Sequence, residues 1–402
     1  MPSNRRLILA TCSLLQFLVI GAQYTFAVLY LRIVEEFGAP RAVVSGIQSV
    51  VFLVEMAAFI AAGLLVDRYR PRRMITLGLV LMALGLGLSA AARTLWHLYV
   101  SLGVIATVGA PLIKIGVVVV LTEAFPPARR GLVFGLAYAA NGLAEAFFFP
   151  VVDVLAESAG WRAAYGAVAA ALFLVGLPAV WRTLKSAAAV PTSAAEAGTR
   201  AGLSLAIVFF ALSSILIGLN TEAAYQHLIP HVVTVGYPLR IGVWMLTVAS
   251  LGHALGMAAG GWLSDHVGRV RALVVSSIAP ALAAAGVLFT DDRGLLFGAA
   301  FAWGAGTGGM ISVRSATWGD VFQGRRQGFI TGLLLPTYNL GGAAIAWYGG
   351  YAFDRAGTYQ SPFTLAVLAA VLAPLLFAMA LGRTTPSSPA SVDRVALDPR
   401  LR

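Results

Sequence analysis

Apolar positions in this chain fall into long unbroken runs and seldom alternate with polar ones. Between charged or Gly/Pro-rich breaks, twelve runs of bilayer length can be marked, at 7–31, 43–66, 74–92, 97–123, 131–155, 161–182, 203–229, 241–263, 271–290, 294–319, 327–352 and 361–382. A crossing needs about 20 apolar residues. Runs without period-two alternation predict helices and not barrel strands. Between the sixth and seventh runs lies TLKSAAAVPTSAAEAGTRAG, rich in Ala, Ser, Thr, Pro and Gly, which reads as a linker. The pattern therefore predicts an all-α integral membrane protein of twelve transmembrane helices in two six-helix bundles. The bundles are 1–182 and 203–383, joined by a cytoplasmic linker at 183–202, with a disordered cytoplasmic tail at 384–402.

Composition agrees with the bilayer as solvent. Only 11% of the 402 residues are charged, against about 25% in soluble domains, and mean hydropathy is +0.84. The net charge of +11 does not point to nucleic acid, because the basic residues are scattered over short loops and form no basic face. Cys12 is the sole cysteine, so no internal disulfide is possible. The first apolar run is longer than the roughly 7–15 residues of a signal-peptide core and reads as a retained span.

Lys and Arg then set the orientation. With the N-terminus inside, nineteen of these residues fall in the inner loops and termini and seven in the outer loops, leaving Lys114 and Arg314 within spans. The bias places both termini in the cytoplasm, and the expected location is a bacterial cell inner membrane.

Two polar interruptions repeat. GLLVDRYRPRRM, from Gly63 to Met74, and GWLSDHVGRVR, from Gly261 to Arg271, share Gly, Leu, Asp and trailing arginines in the same order, with Asp67 and Asp265 198 residues apart. Both fall in the loop between the second and third helix of a half, so the halves are a parallel repeat. These loops resemble the G-x-L-x-D-R-x-G-R-R signature of the major facilitator superfamily, with Pro71 and His266 as departures. In that family the motif locks and releases the cytoplasmic ends of the two halves. The resemblance thus implies gating roles for Asp67, Arg68, Arg72, Asp265 and Arg269, with Glu123 and Asp320 as charge partners at the inner ends of helices four and ten. The alternative is that these charges only set topology.

A narrower resemblance is to the monocarboxylate and oxalate/formate branch. GAQYTFAVLYLRIVEEFGAPRAVVS is similar to its helix-one motif, and FPPARRGLVFGLAYAANGLAEAFFFPVVDVLAESAGWRAAY and TGGMISVRSATWGDVFQGRRQGFITG are similar to later stretches. An acid found early in helix one of animal members is Ile20 here. The helix-eight arginine that pairs with the carboxylate in several members falls near Met257.

Charges inside spans need a reason, since each costs about 2.5–3.5 kcal/mol at mid-bilayer on insertion scales. The resemblance implies a cavity lined by helices one, four, seven and ten. Lys114 and Arg314 would face it from opposite halves about one turn apart in depth, ready to hold a small anion; Arg can grip a carboxylate with two parallel hydrogen bonds. The alternative is neutralisation, Lys114 by Glu55 and Arg314 by Asp320. Glu55 and His253 each lie 12 residues before their loop aspartate, and both are proton-coupling candidates. A Glu145–His253 pair across the halves would report protonation, or form a static hydrogen bond. Glu222 is a further proton-site candidate, its alternative being a wet carboxylate near the outer end. Gln23, Tyr24, Asn141, Asn220, Tyr338 and Asn339 are neutral candidates for orienting a ligand, or for joining helices.

No H-E-x-x-H, no G-x-S-x-G with triad partners and no Walker loop is present, so no enzyme, metal or cofactor is expected. The sequence reads as a monomeric secondary transporter moving a small organic anion by alternating access, coupled to a proton or a counter-anion. Rival readings are a proton-coupled drug or metabolite exporter of the same fold and a non-transporting sensor.

Overall fold

The computed structural model describes residues 3–66, 69–184, 205–321, 334 and 336–383. Asp67, Arg68, nearly all of the expected linker, the tail and the first part of the eleventh run lie outside the described residues.

Apolar runs become helices because the bilayer offers no partner for an open backbone, and a helix satisfies its own. They are α1 (Ser3–Phe37), α2 (Arg41–Val66), α3 (Pro71–Ala90) and α4 (Leu95–Ala124). Next comes one continuous stretch, Leu136–Thr183, of 48 residues. At 1.5 Å per residue it would be about 72 Å long, far beyond the roughly 30 Å of a hydrocarbon core. It breaks at Gly160, whose φ of 83° and ψ of 160° are non-helical. With the helical residues from Pro127 that lead into it, the stretch is therefore two crossings, α5 (127–159) and α6 (161–183). The second half is α7 (Leu205–Thr234), α8 (Leu239–Val267), α9 (Arg269–Phe289), α10 (Arg293–Val321), α11 (Thr337–Ala356) and α12 (Gln360–Leu381). Among the described residues ten helices are long and apolar enough to span. Dividing one at Gly160 makes eleven, and α11, too rich in Tyr, Asn and Gly to count by hydropathy, completes twelve.

Local chemistry ends these helices where the sequence turns polar. Pro71 sits in the first turn of α3, where its missing N–H costs nothing. Thr94 caps α4 by accepting from the His97 N–H at 3.3 Å. Gly357, with φ of 68°, closes α11.

Helices α1–α6 pack on one another, as do α7–α12, and the broad contacts between the sets are α2 with α11 and α5 with α8. Within the second set α8 and α10 approach closely. A Cβ on Gly256 would collide with the Ala305 backbone, and one on Gly304 with Ala249. Small residues every fourth position let helices meet at backbone distance in lipid. Long apolar side chains point outward, among them Leu64, Leu174, Leu282 and Phe289, as expected of a surface whose solvent is lipid.

The N-terminus, the start of α7 and the end of α12 share one face, here the terminal face. At the opposite face the two sets are clamped. Asp354 of α11 accepts from the backbone N–H groups of Arg41 and Ala42 at 2.9 and 2.7 Å, at the start of α2. The Arg41 guanidinium lies 3.5 Å over the Phe353 ring and donates to the Tyr359 hydroxyl at 2.6 Å.

Candidate functional site

Lys114 lies part-way along α4, where helix geometry turns it toward α2. Its Nζ meets Glu55 Oε1 at 2.8 Å, with side chains 22% and 7% exposed. Glu55 also accepts from Gln23 Nε2 of α1 at 2.8 Å and from Asn339 Nδ2 of α11 at 3.3 Å. Lys114 is thus the neutralised cation of the two, and Glu55 joins three other helices across the halves.

Arg314 of α10 differs. It is 5% exposed, yet no carboxylate reaches it among the described residues. Its Nη1 donates to Ser214 Oγ of α7 at 3.0 Å, and its guanidinium carbon lies 4.9 Å from the Trp318 ring centre and 5.4 Å from that of Tyr338. Among the described residues the Nε–H of Arg314 and the Nε1–H of Trp318 are both buried without an acceptor. The expected alternative partner, Asp320, is engaged elsewhere: Arg269 Nη2 binds it at 2.7 Å. An unpaired buried charge is costly, and two orphan donors beside it form a site that an acceptor-rich anion would complete.

The carboxylates occupy the layer above. Glu222 of α7, a proton-site candidate, is fully buried and not the wet carboxylate of the alternative reading; α1 and α11 close over it. Its carboxylate accepts from Tyr338 at 3.0 Å, from Gln226 at 3.1 Å and from Tyr24 of the other half at 3.3 Å. The expected Glu145–His253 pair is not formed. Tyr225 of α7 comes between them, donating to Glu145 at 2.7 Å and turning its ring edge-on to His253 at 6.2 Å. His253 instead meets Thr307 of α10 at 3.3 Å.

Among the neutral candidates, Gln23, Tyr24, Tyr338 and Asn339 converge on these acids. Asn141 of α5 has its Oδ1 buried without a partner. Asn220 does not face the other half. Its Nδ2 donates to the Ala366 carbonyl of α12 at 2.8 Å, because the turn of α7 that aims Glu222 inward sends Asn220 outward against α12.

At the terminal face Arg269 bridges Asp265 at 2.9 Å and Asp320, and also reaches Ser264. Asp67 and Arg68 of the first-half counterpart lie outside the described residues. Arg72 turns to α6, with its guanidinium 4.7 Å from the Trp181 ring centre. Glu123 keeps one buried oxygen without a partner among the described residues.

Ser214, Trp318, Tyr225 and Gln226 were not singled out from sequence. Trp318 and Gln226 carry a usable signal, each lying one helical turn after a charged residue of the site, Arg314 and Glu222 respectively. Ser214 and Tyr225 carry none, because their importance depends on which helix lies opposite.

Comparison with known proteins agrees with this architecture. The family model described as Major Facilitator Superfamily matches residues 12–290 and 202–399. Monocarboxylate transporter 11 of Mus musculus is 30% identical over 363 residues, covering 85% of this chain and 79% of that protein. Monocarboxylate transporter 13 of Bos taurus is 28% identical over 355 residues, covering 87% and 83%. In fold, a bacterial homologue of the human lysosomal transporter Spinster, inward-facing and occupied, superposes with a TM-score of 0.75 at 16% identity, over 97% of this chain and 100% of that one. The nucleoside transporter NupG gives 0.74 at 12% identity, over 93% and 99%.

Proposed function

This chain belongs to the major facilitator superfamily, a family of transporters and not of enzymes, and we propose that it carries a small organic anion of the monocarboxylate kind across the membrane by alternating access, coupled to a proton or a counter-anion. The observation that carries this reading is Arg314: among the described residues, a guanidinium buried without an acid, next to a second unfilled donor on Trp318. A carboxylate has two oxygens and about four lone-pair sites, enough to fill both donors at once. Relatives named as monocarboxylate transporters support the same substrate class.

Alternating access gives each contact a task. The clamp of Asp354 on the start of α2 holds the opposite face shut, and the Asp265–Arg269–Asp320 set belongs to the face that opens. The Lys and Arg bias makes that terminal face cytoplasmic, in a cell membrane that is the bacterial inner one on this reading. Lys114, held by Glu55, serves as a tie between halves that an incoming anion loosens.

Counterflow of labelled lactate in proteoliposomes tests the proposal. Hydrogen bonds to a charged group are worth about 1.5–3 kcal/mol, so Arg314→Gln should lower counterflow about ten- to hundredfold, and Arg314→Lys by less. Wild-type rates in Arg314→Gln would refute the site.

A second reading, proton-coupled export of an organic cation, is favoured by Glu222 and Glu145, which are buried without a basic partner among the described residues. Under that reading Arg314→Gln leaves efflux of a lipophilic cation intact, and Glu222→Gln stops it.

A further inference from the structure

Glu222 and Arg314 are joined by one side chain. Tyr338 of α11 donates its hydroxyl to Glu222 at 3.0 Å while its ring centre lies 5.4 Å from the Arg314 guanidinium carbon. The two charged ends belong to α7 and α10, and Tyr24 adds a donor from α1, so both halves hold the same carboxylate. Gly342 of α11 leaves room for it: a Cβ there would stand 3.1 Å from Glu222 Cγ.

We propose that Glu222 is the group that takes up and releases the coupled proton, and that Tyr338 is the positioning residue through which an anion at Arg314 acts on it. This rests on the reading of Arg314 as the anion site. As a carboxylate Glu222 can only accept, and the Tyr24 and Tyr338 hydroxyls and the Gln226 amide all donate to it. Both tyrosine hydroxyls donate to the same oxygen, Oε1, and the Gln226 amide to Oε2, so a proton added to Oε1 makes it a donor and one of the two tyrosine bonds reverses or breaks. Because Tyr24 and Tyr338 sit in different halves, the change is felt at the seam between them. An anion gripped by Arg314 draws the guanidinium off the Tyr338 ring and alters the same hydroxyl from its other end. The step is a proton from cavity water added to a carboxylate and returned to water on the far side, with no other reactant.

The competing groups are less well placed. Glu55 already has Lys114 at 2.8 Å. Glu145 meets Tyr225 and lies beyond it from Arg314, and among the described residues His253 reaches only Thr307 and the Tyr225 ring. The titratable and charged groups facing Glu222 are Tyr24 from α1, Glu55 from α2, Glu145 from α5 and Tyr338 from α11. The Tyr225 ring lies 4.9 Å from that of Tyr24, tilted by 41°, His253 backs Tyr225 from α8, and Arg314 of α10 lies behind Tyr338.

The test uses the full chain in proteoliposomes, with labelled lactate and two readouts. Lactate accumulation driven by an imposed pH gradient should fall at least about tenfold in Glu222→Gln, while lactate exchange at equal pH persists at a measurable rate. Tyr338→Phe, which keeps the ring and loses the hydroxyl, should move the pH midpoint of uptake. Infrared titration of the purified protein should show a carboxylic-acid C=O band that is absent in Glu222→Gln and shifted in Tyr338→Phe. Lactate should perturb that band in the wild type and not in Arg314→Gln. Undiminished pH-driven accumulation in Glu222→Gln, or its loss in Glu145→Gln alone, would overturn the assignment. Absence of lactate exchange in the wild type would instead refute the anion reading, and the band in Glu222→Gln and Tyr338→Phe would still decide whether this carboxylate carries the proton.

Discussion

Removing either member of the Lys114–Glu55 pair leaves the other charge buried without its partner. Breaking a buried pair from one side costs about 3–5 kcal/mol, whereas replacing both members is far milder. Lys114 is 22% exposed, so solvent brings its own loss toward the lower end. Glu55 has three charged or amide donors to lose for one carboxylate. Thermal unfolding in detergent should therefore place Glu55→Gln and Lys114→Gln each below the wild type, with the double variant above their sum. Strict additivity would mean that the two charges do not depend on each other. Arg314 offers the contrast, since its neutralisation removes an unpartnered charge and should cost binding more than stability. Little in the sequence separates the two cations. Each sits within an apolar run, and Glu55 and Asp320 are both within reach on paper. What decides is the rotation of α2 and α10 about their axes, which tertiary packing sets. The same blindness hid the burial of Glu222 and the outward turn of Asn220.

Helix pairs carry the next level of argument, and α2 with α11 is the pair whose ends are most specifically tied. The start of an α-helix exposes N–H groups and positive dipole, and an anion there is favoured. Asp354 supplies that anion from the other half. Loss of its charge in Asp354→Asn should weaken closure and let the opposite face open more often. Cys12 is the only cysteine and is buried, so a Ser45→Cys reporter on Cys12→Ser can be read cleanly. Ser45 is 3% exposed and packs where a Cβ on Gly350 would touch it. Labelling of that reporter by a membrane-impermeant maleimide should rise severalfold in Asp354→Asn, and equal labelling would show that the clamp does not hold the closed state. At this scale the sequence was largely readable. Eleven of the twelve runs coincide with described helices to within about six residues at either end, and the terminal-face part of the eleventh run and 203–204 of the seventh lie outside the described residues. The boundary between α5 and α6 was legible from Glu157, Ser158 and Gly160, although the backbone there stays helical on both sides of a single glycine. The clamp was not legible, because Asp354 and Arg41 are 313 residues apart and nothing local marks them as partners.

Across the whole molecule the duplication is a matter of scaffold more than of chemistry. The offset of 198 residues that relates Asp67 to Asp265 places Pro71 opposite Arg269. The residue that bridges Asp265 and Asp320 at 2.9 and 2.7 Å therefore has no arginine at its equivalent position in the first half. One half meets the terminal face with a charge-bridged α8–α9–α10 set, while the other starts α3 on a proline. Those three side chains are 23–68% exposed, so each contact is worth about 1 kcal/mol or less and is screened by salt. Such a set cannot govern overall stability, but it can govern how readily the terminal ends of α8, α9 and α10 shift together in the alternating-access cycle proposed above. Raising ionic strength should then speed exchange in the wild type by a factor of a few. Arg269→Gln should show the faster rate already at low salt and little further response, with an unfolding temperature lowered by only a few degrees. Exchange measured over a salt series in both proteins checks this. If the variant keeps the full salt response, the ionic strength acts elsewhere, and the first candidates are then the arginines of the α2–α3 loop.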